Sequence, residues 1–274
     1  MTDAPPLTVL EAFGVSATVV RLSGGQGTCW QAGDLVLKPG QPSREASWCA
    51  DLFAELSGPG FRVPQPVRSR TGSWTVAGWT ASRRVPGEPA PVAHWSELVA
   101  TSRGFHTALA GIAMPPWLGR RRNPWVLADA MAWGADRVEL KPELAALVEA
   151  LLAATRPIRL PAQLVHGDIA GNVLFAADGP PAVIDFSPYW HPAGYALAIA
   201  AVDVLAWSGA PPAILDELDD EPEIDQLLVR ALASRLITES LIRKDHDTLH
   251  AVRRANQTVV ERVLSRIAGA SPIP

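Results

Sequence analysis

The chain has 274 residues, of which 48% are hydrophobic and 19% are charged, so it is globular in composition and long enough for one large core or two smaller ones. The formal net charge of -4 argues against a general affinity for nucleic acids or acidic membranes. Cys29 and Cys49 do not form a disulfide or zinc pattern, and we expect reduced thiols. Because no signal peptide or membrane-spanning segment is evident, a cytoplasmic protein is expected.

The chain begins with a predicted short helix at 7–14, a β-branched strand at 17–22 and a glycine-rich turn. The turn contains Gly24, Gly25 and Gly27 and leads into a second strand, which predicts a hairpin. Glycine allows close backbone approach, so these amides could contact a phosphate, although glycine turns are also common in ordinary hairpins. The turn does not open a helix and lacks a following Gly-Lys-Ser/Thr, which argues against dinucleotide-binding and Walker folds.

A strand at 34–39 and a helix at 42–56 are predicted next. Lys38 lies at the end of the strand after three apolar residues, and Ser43 is predicted to cap the helix. Glu45 in the first helical turn interacts favourably with the helix dipole. A second interpretation is an ion pair between Glu45 and Lys38 that aims the lysine at nucleotide phosphates.

Two more strands are predicted at 61–70 and 73–81, before a connector rich in proline and glycine at 82–91. This connector places a domain boundary between two parts of the chain, 1–82 and 83–274. The second part is mainly helical, with helices predicted at 92–112, 140–154, 194–207, 224–243 and 248–267.

The most informative stretch, residues 164–186, reads LVHGDIAGNVLFAADGPPAVIDF. Asp168 and Asp185 each follow a short apolar run, and Asn172 follows Asp168 by four residues. A carboxylate beside a buried strand is unfavourable unless its charge is used. Two carboxylates and an amide offer hard oxygen ligands to a divalent metal that carries a nucleotide phosphate. Turn chemistry alone explains Asp178-Gly179, but neither Asp168 nor Asp185.

This stretch resembles the catalytic segment of the aminoglycoside phosphotransferase-like family, which is related to the protein kinases. The matching residues are His166-Gly167-Asp168, Asn172 and Ile184-Asp185-Phe186, with Asn172 one residue closer to Asp168 than is usual in the family. The resemblance implies an α+β, bilobal, kinase-like fold. Residues 1–82 would form a small N-lobe with an antiparallel sheet and one helix, and residues 83–274 a larger, mainly helical C-lobe.

The resemblance implies transfer of the γ-phosphate of ATP, or GTP, to a hydroxyl of an aminoglycoside-like antibiotic or a metabolite. Asp168 would be the catalytic residue that accepts or orients the hydroxyl proton, and Asn172 and Asp185 would bind Mg²⁺. His166 would shape the loop by hydrogen bonding. The nucleotide would contact Gly24, Gly25, Gly27, Lys38, Glu45 and the backbone around Thr80 and Ser82.

Two alternatives keep the same fold. The short step from Asp168 to Asn172 is compatible with a pseudokinase that binds nucleotide without turnover, although retention of Lys38, Asp168, Asn172 and Asp185 together argues against it. The acceptor could instead be a peptide side chain. The acidic run at 216–225 favours a cationic acceptor and the arginines at 120–122 an anionic one, so the sequence does not choose between them.

Overall fold

The computed structural model describes residues 4–22, 27–40 and 42–269, which group into two compact units. The first unit comprises Met1–Ala90 and Gly171–Phe186, and the second comprises Pro91–Ala170 and Ser187–Pro274. The sequence placed its boundary earlier, after residue 82, and did not predict that 171–186 returns to the first unit. Strand pairing accounts for both differences, as described below.

The α-helices are α1 (Leu7–Ala12), α2 (Ser43–Glu55), α3 (Trp95–Leu109), α4 (Pro124–Ala132), α5 (Pro142–Ala153), α6 (Gly194–Trp207), α7 (Ile224–Ile242) and α8 (His246–Gly269). The strands are β1 (Val19–Arg21), β2 (Trp30–Ala32), β3 (Leu35–Pro39), β4 (Pro66–Val67), β5 (Thr75–Val76), β6 (Trp79–Arg83), β7 (Glu88–Pro89), β8 (Gln163–His166), β9 (Val173–Phe175), β10 (Ala182–Val183) and β11 (Pro188–His191). Short 3-10 helices occupy Leu118–Arg120, Ala170–Asn172 and Pro212–Leu218.

The first unit is built on an antiparallel sheet with the strand order β1-β2-β3-β6-β4, and β5 also pairs with β6. Its core contains side chains from α1 and from the central strands, including Val9, Leu10, Leu35, Leu37 and Trp79. A smaller sheet has the order β10-β9-β7. Because β7 and β10 both pair with β9, and Arg62 forms a backbone bridge to Ala182 in β10, residues 88–89 and 171–186 belong to the first unit.

Some local expectations for the first unit were wrong. Ser43 is the first residue of α2 rather than its cap, and Pro42 precedes it without a side-chain hydrogen bond. The strand predicted at 61–70 is reduced to β4, since Pro64 and Pro66 lack the N–H that a continuous ladder needs. Arg62 instead forms an isolated parallel bridge with Ala182.

The second unit is organised around α7, which packs against α4, α5, α6 and α8. Helix α6 is buried on nearly all faces from Tyr195 to Val202, as expected for a helix without a polar stripe. Helix α4 was not predicted, although its start is readable in the sequence. The Asn123 side chain accepts the N–H of Val126 at 3.0 Å, and Pro124 occupies the first turn.

Strands β8 and β11 form an antiparallel ladder in the second unit, with His166 opposite Pro188 and Val165 opposite Tyr189. This ladder fixes the chain directly before Asp168. Both cysteines are free thiols, as predicted. Within the described ranges, no helix has both the length and the apolar composition that a membrane span requires.

Candidate active site

Asp168 lies two residues after β8, in the second unit, where its side chain is 56% exposed. The preceding Leu164, Val165 and His166 are completely buried. The strand is thus anchored in the core, while the turn at its end carries a carboxylate into solvent. This is the arrangement that the apolar run followed by Asp168 predicted.

Two buried histidines hold this turn. The backbone N–H of Asp168 donates to Nδ1 of His166 at 3.1 Å, which confirms that His166 shapes the loop by hydrogen bonding. The backbone N–H of His166 donates to Nε2 of His106 at 3.1 Å. His106 therefore carries its proton on Nδ1, from which it donates to the Ser102 carbonyl at 2.7 Å. Both acceptor roles require unprotonated ring nitrogens.

We predict that His106 makes the free energy of unfolding depend on pH. Burial lowers the pKa of His106 from its ordinary 6.5 to about 4. Between these values the unfolded chain binds a proton that the folded chain excludes, so stability is complete above pH 6.5 and falls as the pH decreases towards 4. The gap corresponds to about 3 kcal/mol. Urea unfolding from pH 7 to pH 4 measures this slope.

The matched variants are His106→Gln and His250→Gln, since His250 is exposed on α8. His106→Gln lowers stability at pH 7 but flattens the slope between pH 4 and 6.5. His250→Gln keeps the slope of the unsubstituted protein. An equal slope in all three proteins would assign the acid sensitivity to other groups.

Gly167 is required because of the ring of Tyr189. A Cβ added at Gly167 would lie 2.3 Å from Cδ2 of Tyr189, inside van der Waals contact. Burial, reinforced by the charge of Asp129, raises the pKa of Tyr189 to about 12, so the ring is a neutral packing surface. The Gly167 N–H donates to the Ser187 carbonyl at 2.8 Å. The glycine therefore lets the turn lie flat on β11.

Arg235 of α7 contacts the same turn, which the sequence did not predict. Its Nε and Nη2 donate to the two carboxylate oxygens of Asp203 at 2.8 and 2.7 Å. The second N–H of Nη2 is shared between the Gly167 carbonyl at 3.2 Å and Oδ1 of Asp168 at 3.3 Å. An arginine between the fully buried Ala233 and Leu236 was the available cue, because a charge on an apolar helix face needs a partner.

Asn172 and Asp185 lie in the first unit. The Asn172 carbonyl accepts the N–H of Ile184 at 2.9 Å, which joins the backbone at the two positions. Asp185 has φ +53°, in the left-handed region that aspartate tolerates better than most residues. Such backbone strain concentrates at functional positions. Asp185 also forms an ion pair with Nζ of Lys38, at the end of β3.

The predicted ion pair between Lys38 and Glu45 is not formed. Lys38 pairs with Asp185, and Glu45 makes no ion pair within the described parts of the chain. Glu45 lies in the first turn of α2, where the helix dipole favours a carboxylate. The position of Glu45 therefore supports the first interpretation, a favourable interaction with the helix dipole.

The remaining predicted nucleotide contacts stay predictions. Gly24 and Gly25 lie outside the described residues, while Gly27 adopts φ +62° and its carbonyl accepts from Nε of Arg21 at 2.7 Å. Thr80 and Ser82 lie inside β6, which pairs with β3 on one side and with β4 and β5 on the other. The backbone there is part of the sheet, and the connecting chain begins after Arg83.

The donor set fits a magnesium ion that is held partly by a nucleotide. Asn172 and Asp185 offer hard oxygen ligands, and among the residues described here no group of three or more His, Cys, Asp or Glu could form a metal cage by itself. Mg²⁺ usually takes one or two protein oxygens and completes its shell with water and phosphate.

Much of the acidic run at 216–225 is neutralised inside the second unit. Arg103 donates to Asp220 at 2.6 Å and to Glu221 at 2.7 Å. Arg266 donates to Asp219 at 2.7 Å and to Asp225 at 2.6 Å. These pairs tie α3 and α8 to the chain before α7 and to the first turn of α7, so the run has a structural role that its sequence did not reveal.

Comparisons with known proteins identify the family and the fold of this chain. A sequence model described as "phosphotransferase enzyme family" matches residues 12–215, whereas no curated protein matches significantly. Among solved structures, a microcompartment-associated aminopropanol kinase has a TM-score of 0.69 at 16% identity, covering 95% of this chain and 97% of that one. An aminoglycoside phosphotransferase from Alicyclobacillus acidocaldarius has a TM-score of 0.60 at 17% identity, covering 98% and 96%.

Spectinomycin phosphotransferase APH(9)-Ia, in complex with ADP and spectinomycin, has a TM-score of 0.57 at 14% identity and covers 94% and 95% of the two chains. At these identities the structural likeness establishes the fold, and it confirms the predicted kinase-like α+β class. The family match extends over most of the chain and includes His166, Asp168, Asn172 and Asp185. The chain therefore belongs to the phosphotransferase enzyme family.

Proposed function

We propose that this protein transfers the γ-phosphate of ATP, or GTP, to a hydroxyl group of a small molecule with the help of Mg²⁺. The observation that carries this proposal is the anchoring of Asp168. Its backbone is held by His166 and its side chain by Arg235, on a turn that is packed against β11. A carboxylate fixed in this way but still exposed is suited to act on a substrate hydroxyl.

Asp168 would accept the proton of the attacking hydroxyl or orient it towards the phosphate. Its exposure gives an acceptor access, and its anchored backbone limits the geometries that the carboxylate can adopt. Such positioning supplies a large part of the rate in phosphoryl transfer, since the reaction needs little covalent chemistry from the protein.

The first unit would bind the nucleotide. Lys38 would contact its phosphates, and Asn172 with Asp185 would hold Mg²⁺, with the glycine turn closing over the phosphates. When bound, Mg²⁺ supplies charge neutralisation at the transferred phosphate. The ion pair between Lys38 and Asp185 supports nucleotide binding by the first unit, since it brings the proposed phosphate-binding and metal-binding side chains together. The sequence prediction gave nucleotide binding to 1–82, and gave the catalytic loop and the acceptor-binding helices to 83–274; in the present proposal 171–186 acts with the first unit.

A small hydroxylated molecule is the acceptor class that we favour. The solved structures of similar fold include an aminopropanol kinase and phosphotransferases of aminoglycosides and spectinomycin. Because four carboxylates of the acidic run already pair with Arg103 and Arg266, that run gives little support for a polycationic acceptor.

Thermal-shift titration with ATP and GTP, each with and without Mg²⁺, tests the nucleotide part. We expect a magnesium-dependent rise in the unfolding temperature. ADP release is then measured with amino alcohols, aminoglycosides and anionic hydroxyl compounds. Absence of nucleotide binding would overturn the proposal, and binding without turnover across a broad acceptor panel would favour the pseudokinase.

A further inference from the structure

We propose that Arg235 is a positioning residue for Asp168. Its ion pair with Asp203 fixes the orientation of the guanidinium that contacts Asp168. The inference rests on the proposed function, in which Asp168 acts on the acceptor hydroxyl. Arg235 belongs to α7 and Asp203 to α6, two helices that pack together in the second unit. Asp168 is thereby linked to the helical core by side chains that are far from it in sequence.

The contact geometry gives Arg235 one orientation. Asp203 accepts from Nε and Nη2, so both of its oxygens bind the fork of the guanidinium. This bidentate pair fixes the guanidinium plane, and Nη2 then reaches the Gly167 carbonyl and Oδ1 of Asp168. The side chain of Arg235 is 17% exposed and that of Asp203 is 18% exposed, whereas Asp168 is 56% exposed. A largely buried pair thus holds a carboxylate that substrate can reach.

The charge arrangement keeps Arg235 a cation. Burial alone would lower the pKa of Arg235, but the charge of Asp203 and the hydrogen bonds to it outweigh burial and raise that pKa above its ordinary value. Arg121 and Asp129 also act on this region, since both influence the pKa of Tyr189. Arg121 lies over the Tyr189 ring, and Asp129 forms hydrogen bonds with His191 and Tyr195. Arg121 and Asp129 therefore each have partners of their own.

Lysine cannot replace this arginine. A single ammonium lacks the planar fork that binds both oxygens of Asp203 while a further N–H points elsewhere. Together with His166 and Ser187, Arg235 supplies partners to the polar groups of the Gly167–Asp168 segment: the Gly167 N–H and carbonyl, the Asp168 N–H and one Asp168 oxygen. Loss of Arg235 removes the donor to the Gly167 carbonyl and to the Asp168 oxygen at the same time.

The experiment must separate positioning from folding, because Arg235→Met alone leaves Asp203 buried and uncompensated. We therefore use the double variant Arg235→Met with Asp203→Leu, which replaces the buried pair by apolar side chains. The matched control is Arg243→Met with Glu239→Leu, which removes an ion pair at the end of the same helix. Arg235→Lys tests the requirement for the fork. Each protein is assayed for kcat, for the KM of ATP and for hydrogen exchange of residues 163–170.

We expect the buried double variant to fold, to keep its KM for ATP, to lose about 100-fold in kcat and to exchange faster across 163–170. The kcat of Arg235→Lys should also be reduced. The control variant should match the unsubstituted protein in kcat, in the KM of ATP and in hydrogen exchange. Unchanged kcat and unchanged exchange in the folded double variant would overturn the inference. If the unsubstituted protein transfers no phosphate, the proposed function fails, but the exchange measurement still decides whether Arg235 holds the turn.

Discussion

Asp168→Asn is expected to reduce kcat by about 10²–10⁴-fold while nucleotide binding survives. The amide has nearly the shape of the carboxylate but cannot accept the proton of an acceptor hydroxyl. The side chain is 56% exposed, and Arg235 keeps its pair with Asp203, so the substitution leaves no buried charge without a partner. ADP release measures the loss, and thermal shift with Mg·ATP measures the retained binding.

The matched control for Asp168→Asn is Asp247→Asn, which removes one exposed carboxylate from α8 of the same unit. It should keep the rate of the unsubstituted protein. If Asp168→Asn also kept that rate, Asp168 would not be the proton acceptor. If it abolished the thermal shift as well, the substitution would be acting on folding or on nucleotide binding instead of on proton transfer.

Asp185→Asn is the second substitution with a large expected effect, and it should reduce kcat by about 10²–10³-fold. It removes the charge that would hold Mg²⁺ and that pairs with Lys38. Because asparagine also tolerates left-handed φ, the backbone at +53° is preserved and only the charge changes. A higher Mg²⁺ concentration should be needed for half-maximal rate. A magnesium titration of ADP release measures both effects.

Asp178→Asn serves as the control for Asp185→Asn, since Asp178 is exposed in the turn between β9 and β10, in the same part of the first unit. Its rate and magnesium requirement should match those of the unsubstituted protein. A raised magnesium requirement in both variants would point to a general effect of charge. An unchanged requirement in Asp185→Asn would remove Asp185 from the metal site.

The sequence by itself predicted the chemistry of the candidate site. His166, Asp168, Asn172 and Asp185 were recognised because polar groups beside short apolar strands are unfavourable without a use, and their order matches one family. Local patterns also predicted most helices, including α6, α7 and α8, since helical periodicity and apolar runs are visible in a single chain. The antiparallel hairpin of β1 and β2 was predicted in the same way.

Only the tertiary structure decided the partners of these residues. Lys38 pairs with Asp185, 147 positions away, and not with the nearby Glu45. Arg235 reaches Asp168 across 67 positions, and the pairing of β7 with β9 returns 171–186 to the first unit. Periodicity tells which face of a helix or strand is buried, but not which distant side chain lies opposite. That choice follows from how the helices and strands pack, which no local pattern contains.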